Sequence, residues 1–227
     1  MPSAPAPPRE ASEVFGDALE TACGFAEILA TDGVLRGLIG PSEAPRLWDR
    51  HLLNCAVVAE LLSDRGQLVD IGSGAGLPGM VLAMLRPGMR VVLLESMLRR
   101  TAFLDECLAR LELPNVTVVR GRAEDLAGTM KADFATARAV APLDRLGGWA
   151  AGLLRPGGQL LAIKGQSAEQ ELAAARPALS RLHARSAEVL RVGHGRVVPA
   201  TTVVRVVIGG RGREEQAGAQ RSRRGVA

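Results

Sequence analysis

The sequence predicts an α/β fold, a largely parallel sheet covered by helices on both faces. Three observations carry that prediction. Short apolar runs alternate with stretches of helical periodicity along most of the chain. The runs are close to continuously apolar, as strands buried on both faces require. The first run ends in a glycine-rich loop, and a helix start follows it directly.

The elements follow in order. Residues 1–12 are rich in Pro and Ala and are expected to form a flexible tail. From Glu13 the apolar positions Phe15, Leu19, Ala22, Ala26 and Leu29 step by three and four, the period of an amphipathic helix. Several breakers across 33–45 predict a loop with a short turn. A second helix fits 46–62, with Leu47, His51 or Leu52, Cys55, Val58 and Leu62 on one side. Residues 13–62 thus read as an N-terminal helical cap. Strand runs then occur at 67–71, 90–95, 116–119, 132–136, 159–163 and 201–208, within a main domain spanning 63–208. A helix is expected from near Pro78, and another over 97–111, where Met97, Thr101, Leu104, Leu108 and Leu111 share a face. Residues 209–227 are Arg- and Gly-rich without periodicity and are expected to be disordered.

Composition narrows the function classes. A chain of 227 residues fits one domain with extensions. With 47% apolar and 23% charged residues it can build a core, which excludes disorder over most of its length. No stretch approaches the roughly 18–20 apolar residues of a membrane helix. Met1 to Pro8 lacks the basic and apolar regions of a signal peptide, so a cytoplasmic protein is expected. Cys23, Cys55 and Cys107 are far apart and form no C-x-x-C pair. They read as small buried hydrophobes, with no metal expected. The net charge is +4, but five arginines against two glutamates place +3 of it beyond residue 208. The body is close to neutral, so a basic footprint there must be local.

The glycine loop is the sharpest local feature: Val69-Asp-Ile-Gly72-Ser-Gly74-Ala-Gly76-Leu77-Pro-Gly79. Glycine tolerates positive φ and lets a ligand approach the backbone. Exposed amides at a helix start suit anionic or polar ligand groups. Two registers are possible. Gly74 to Gly79 matches the dinucleotide G-x-G-x-x-G, and Gly72 to Gly76 matches the G-x-G-x-G loop of S-adenosylmethionine-dependent methyltransferases. Glu95 closes the next strand run, where a carboxylate accepts ribose hydroxyls in either cofactor class. Gly121-Arg122-Ala123-Glu124-Asp125 follows the third run. An acidic residue or backbone amide at this place contacts adenine in methyltransferases, which favours the second register.

Together with these motifs, Arg50-His51, Arg86-Pro87, Arg99-Arg100, Phe103-Leu104, Ala137-Arg138-Ala139 and Lys164-Gly165 make residues 46–208 resemble the small-subunit ribosomal RNA methyltransferase G family, also called glucose-inhibited division protein B. The resemblance implies a class I methyltransferase fold, a seven-stranded, mostly parallel sheet whose last strand is antiparallel. It implies transfer of a methyl group from S-adenosylmethionine to N7 of a guanine in 16S rRNA. It also implies a cofactor pocket of Gly72, Gly74, Gly76, Leu77, Ala123, Glu124 and Arg138, with Glu95 on the ribose. The chain departs from the family pattern at Asn54-Cys55, where Asp-Ser is usual, and at Val140, where Phe is frequent.

The chemistry agrees with the resemblance. Guanine N7 carries an in-plane lone pair and no proton, so methyl transfer to it needs no general base and no covalent nucleophile. Positioning and electrostatics suffice. A cytosine-C5 enzyme would need a nucleophilic Cys, and none of the three is placed for it. An N6-adenine enzyme would carry Asn/Asp-Pro-Pro-aromatic where this chain reads Ala137-Arg-Ala-Val-Ala-Pro142. Ligands of open α/β sheets sit beyond the carboxyl ends of the strands. Arg99, Arg100, Arg122, Arg138 and Lys164 all follow strand runs, and they are expected to ring one crevice. Arg99 and Arg100 are expected to contact rRNA phosphates. Arg122, Lys164 and His51 are expected to position the target. Because the chain holds 26 Arg and only 2 Lys, Lys164 is the more informative cation. The expected partner is 16S rRNA in the small subunit or an assembly intermediate, with no membrane involved and the chain a monomer. Rival functions are a nicotinamide-dependent oxidoreductase, a non-catalytic rRNA-binding factor of the same fold, and a small-molecule methyltransferase.

Overall fold

The computed structural model describes residues 3–209. Seven strands form one sheet: β1 (Gly66–Ile71), β2 (Met89–Glu95), β3 (Val116–Arg120), β4 (Ala132–Arg138), β5 (Leu154–Lys164), β6 (Ala184–Val192) and β7 (Thr201–Ile208), in the order β3-β2-β1-β4-β5-β7-β6. β1 to β5 are parallel, and β7 runs antiparallel to both β5 and β6. The mostly parallel seven-stranded sheet with an antiparallel last strand is therefore present.

Side-chain alternation divides the core in two. Leu68, Val91, Leu93, Leu161 and Val203 point to one face. There they meet α4 (Gly79–Leu85), α5 (Leu98–Leu111) and the N-terminal helices. Val69, Leu94, Leu160, Ala162 and Val204 point to the other face, against α6 (Leu143–Leu153) and α7 (Ala168–Arg181). All of these strand residues are at most 1% exposed, so both faces of the sheet are dry.

The N-terminus differs from the expected flexible tail. Helix α1 (Arg9–Phe15) begins four residues earlier than the periodicity suggests, and Ala11 is fully buried. Before it, Ala4 N–H donates to Glu27 Oε2 (2.8 Å) and Trp48 Nε1–H donates to the Pro5 carbonyl (2.9 Å). Trp48 also meets Phe15 edge to face at 6.0 Å. These contacts hold the Pro-rich segment down. Gly16 at φ +51° ends α1, and a 3-10 turn leads into α2 (Leu19–Ile28). The expected helix over 46–62 is a helical path of varying pitch: a π-helical stretch at Leu47–Leu52, α3 at Leu53–Ala56 and a 3-10 turn at Val57–Leu61. Its buried side chains share one apolar cluster with α4 and α5, so the cap is continuous with the main core. The expected disorder from residue 210 onward lies outside the described residues.

Strand β6 has no counterpart among the apolar runs. It is an edge strand with Arg185, Ser186, Glu188 and Arg191 exposed, so it carries only a weak apolar signal. Sheet order positions the site. β1 lies between β2 and β4, so the connections leaving β1 and β4 diverge and open a crevice beyond their carboxyl ends.

Candidate functional site

The loop after β1 is shaped by its glycines. Gly72, Gly74 and Gly76 have φ of +68°, +56° and +90°, which side-chain-bearing residues rarely adopt. A Cβ on Gly72 would also lie 3.0 Å from both Val140 methyls, and one on Gly79 would lie 2.4 Å from Leu93 Cδ2. The loop thus passes close under Val140, and α4 packs hard against the sheet at Gly79. Asp70 pins this arrangement. Its carboxylate is buried and accepts hydrogen bonds from Gly79 N–H (3.1 Å) and Thr136 Oγ1–H (3.0 Å). Burial pushes its pKa up to about 6, with the hydrogen bonds opposing.

Two adjoining clefts lie at this end of the sheet. One, of about 290 Å³, is bounded by Gly72, Glu95, Arg122, Ala123, Glu124 and Trp149. The other, of about 400 Å³, is bounded by Gly74, Leu77, Ile39, Glu95, Arg100 and Arg138. Gly72, Glu95, Ser96 and Val140 belong to both. Glu95 is 3% exposed and is oriented by backbone: Oε2 accepts Gly74 N–H (3.0 Å) and Oε1 accepts Met97 N–H (2.9 Å). A carboxylate oxygen has two acceptor sites, so Glu95 keeps acceptor capacity toward a ligand. Gly76 departs from expectation. It lines neither cleft, because its open side faces Met80, whose sulfur would be 2.8 Å from an added Cβ. Its φ of +90° shapes the turn.

A third, larger groove of about 1420 Å³ opens between the N-terminal cap and the ends of β4 and β5. His51, Arg138 and Lys164 line it, together with Arg46, Arg50 and Arg191. His51 is clamped on both sides. Arg138 Nη2 donates to its Nδ1 (2.9 Å), so Nδ1 is the acceptor nitrogen. The ring proton is then on Nε2, which donates to Glu43 Oε2 (2.9 Å). Burial and the neighbouring Arg138 lower the His51 pKa below its ordinary value. The hydrogen bond from His51 in turn holds Glu43 below the usual carboxylate range. Lys164 is only 11% exposed; its Nζ lies 2.6 Å from Glu171 Oε1 and 3.0 Å from the Ala141 carbonyl.

The expected ring of cations around one crevice is therefore corrected. Arg122 lies in the first cleft, Arg100 in the second, Arg138 between the second and the groove, and Lys164 in the groove. Arg99 lines none of them; it is exposed on the outer side of α5. Nor are the cations equally available. Arg100 turns inward to Glu95 (3.5 Å), Arg138 bonds His51, and Lys164 bonds Glu171. Helix rotation and these pairings separate groups that sequence order had placed together.

Sequence reasoning missed several groove and cleft residues. Arg46 gave no signal beyond a generic helical arginine, and Arg191 sits on the unrecognised β6. Trp149 lies in α6, away from every motif. Ala139 has φ +54°, a strained conformation for alanine, at the turn between Arg138 and Val140. Cys55 and Cys107 are buried, and burial pushes their thiols up to about 11 and about 12, so neither is poised as a nucleophile. Cys23 is partly buried.

Comparison with known proteins bears on this geometry. The family model described as rRNA small subunit methyltransferase G matches residues 18–198. Among curated proteins, the chain is 58% identical over 202 residues to the Ribosomal RNA small subunit methyltransferase G of Thermobifida fusca, covering 89% of this chain and 85% of that one. It is 54% identical over 206 residues to the protein of the same name from Streptomyces coelicolor, covering 90% and 86%. Among solved structures, a SAM-dependent O-methyltransferase from Thermotoga maritima superposes with a TM-score of 0.54 at 18% identity, covering 71% of this chain and 66% of that chain. Fibrillarin from Aeropyrum pernix, solved with natively bound S-adenosyl-L-methionine, does so with a TM-score of 0.51 at 17% identity, covering 70% and 75%. At those identities the structural likeness speaks to the fold alone, which is that of the methyltransferases.

Proposed function

The chain belongs to the rRNA small subunit methyltransferase G family, and from that premise we propose that it methylates N7 of a guanine in 16S rRNA. It is an S-adenosylmethionine-dependent rRNA methyltransferase. The guanine and its N7 atom are our finer reading. The observation that carries it is the adjacency of two differently built spaces. Paired clefts lined by the glycine loop and Glu95 share Arg138 and Val140 with a groove lined by arginines.

The residues present fit the cofactor. A Cβ would close the space at Gly72, and the oriented Glu95 carboxylate keeps an acceptor site on Oε1 for a hydroxyl donor, its Oε2 being shared by Gly74 and Arg100. Gly72, Gly74 and Leu77 would hold it from the loop side, Glu95 at the ribose, and Ala123 and Glu124 at the adenine. Gly76 shapes the turn. When bound, the cofactor supplies an electrophilic methyl group on a sulfonium.

Two of the groove's titratable groups, His51 and Glu171, are already engaged, which supports an acceptor that needs no deprotonation; exposed Asp49 also lines the groove. His51 has both ring nitrogens engaged, and the Glu171 oxygen nearest the groove lysine is already shared by two donors. An in-plane lone pair such as guanine N7 meets this condition, and the chain's contribution is orientation and positive potential. Arg46, Arg138 and Arg191 supply that potential along the groove, Arg50 being paired with Glu43 at 3.0 Å, and Arg122 supplies it at the adjoining cleft. Exposed Arg99 is left to reach phosphates outside the groove. We place the reaction in the cytoplasm, with the chain acting as a monomer on the small subunit or an assembly intermediate. Among the described residues no helix is long and apolar enough to cross a membrane.

Transfer of label from S-adenosylmethionine to 30S subunits of a strain lacking this family's enzyme tests the reading. Label in 16S rRNA, with thermal stabilisation by S-adenosylhomocysteine and none by NAD, is the expected result. Cofactor binding without any transfer to ribosomal RNA would favour a non-catalytic binder and overturn it.

A further inference from the structure

The segment between β4 and α6 forms the wall common to the cofactor clefts and the groove. Val140 faces the glycine loop, and Val140, Ala141 and Pro142 continue along the groove. Its first residue, Ala139, is in a strained left-handed conformation, so something must hold the turn in place. Its last residue, Pro142, caps α6 but has no side-chain donor or acceptor to satisfy the helix amides.

Glu171 supplies what Pro142 lacks. From α7, its Oε1 accepts the N–H of Leu143, the first residue of α6, at 2.8 Å. The same oxygen lies 2.6 Å from Lys164 Nζ, and that ammonium donates to the Ala141 carbonyl at 3.0 Å. One carboxylate oxygen thus ties the end of β5, the start of α6 and, through Lys164, the middle of the wall. Both residues are largely withdrawn from solvent, with side chains 25% and 11% exposed. A charge-assisted pair so enclosed is stronger than one on the open surface.

We propose that Glu171 is a positioning residue for methyl transfer: it fixes the 139–142 wall against the glycine loop by capping α6 and by aiming Lys164 at the Ala141 carbonyl. Lys164 then serves the reaction from within, as part of the wall, and phosphate contact falls to the exposed arginines. This inference rests on the cofactor reading above and adds the residue on which the shape of the cofactor cleft depends.

The test compares Glu171→Ala, Glu171→Gln and Lys164→Met in the full chain. It reads the affinity for S-adenosylhomocysteine by calorimetry, well below the unfolding temperature, alongside kcat and KM with 30S subunits. Glu171→Ala should weaken S-adenosylhomocysteine binding by about tenfold, the scale of one charge-assisted hydrogen bond. It should lower kcat and leave the 30S KM within about twofold. Glu171→Gln should recover most of the affinity, because an amide oxygen at the Oε1 position still accepts from both Leu143 and Lys164. Lys164→Met should reproduce the cofactor defect, and it carries the test if Glu171→Ala does not fold. Unchanged S-adenosylhomocysteine affinity in Lys164→Met, or in a folded Glu171→Ala, overturns the inference. So does tighter 30S binding by a Glu171 variant, since that would mean Glu171 merely competes with phosphate for Lys164. If the unaltered chain binds no S-adenosylhomocysteine, the cofactor reading itself falls and takes this inference with it.

Discussion

Arg138 and His51 are joined by a 2.9 Å hydrogen bond that links the end of β4 to the N-terminal cap. The bond requires an unprotonated Nδ1, and it turns Nε2–H toward Glu43. The cap is thereby fastened to the strand that carries the groove's central arginine. This fastening is sensitive to protonation, because a second proton on His51 would face the guanidinium.

The pH dependence follows from the sign of the shift. His51 has its pKa lowered, first by burial and then by Arg138. It therefore contributes stability that is present above the ordinary histidine value of about 6.5 and lost as pH falls through the folded value. Urea unfolding of the unaltered chain and of His51→Ala should show the unaltered chain's advantage shrinking from pH 7.5 to pH 5.5. A constant advantage across that range would show that His51 is not held neutral by burial and Arg138.

Asp70 has the opposite sign. Burial raises its pKa from 3.8 to about 6. Its protonated form is favoured in the fold, so its contribution is present below about 3.9 and is lost as pH rises through about 6. Asp70→Asn should therefore gain stability relative to the unaltered chain between pH 4.5 and pH 6.5. If the difference between the two is flat over that window, Asp70 does not titrate as its burial implies.

Gly72→Ala tests the close approach of the glycine loop to the wall. The variant places a side chain at φ +68° and a Cβ 3.0 Å from both Val140 methyls. The backbone cost alone is about 1–2 kcal/mol. The unfolding temperature should fall by a few degrees, and S-adenosylhomocysteine affinity should drop by about tenfold or more. Adding Val140→Ala should recover part of the affinity, because it removes the clash and leaves the strain. Full affinity in the single variant would mean that the cofactor does not sit beneath Val140.

The two tryptophans give an optical test. Trp149 lines the cleft with Ala123 and Glu124, whereas Trp48 is buried in the cap against Phe15. S-adenosylhomocysteine should change the intrinsic fluorescence of the unaltered chain and of Trp48→Phe, but not that of Trp149→Phe. A signal that survives in Trp149→Phe would place the adenine elsewhere.

The legible and illegible parts of this molecule divide along the range of the interactions. The glycine loop, the buried strand runs and Glu95 at the end of β2 were readable, because each depends on residues adjacent in sequence. Edge strand β6 was not, because its outward arginines and glutamate hide the strand pattern. The Pro-rich N-terminus reads as a tail, yet two hydrogen bonds to Glu27 and Trp48 hold it. The cations were recognised by position, but their partners were not. Arg138 finds His51 across 87 residues, and Lys164 finds Glu171 on a different element. Those pairings decide which of these cations are already engaged by protein groups, and only the fold reveals them.

The most direct measurement is the position of the transferred methyl group. After reaction with 30S subunits that lack the modification, borohydride reduction and aniline scission of the 16S rRNA report 7-methylguanine. A single new cleavage at one guanine is the predicted result. Methyl label incorporated into 16S rRNA without any new cleavage would place the methyl on another atom and contradict the argument from an acceptor that needs no base.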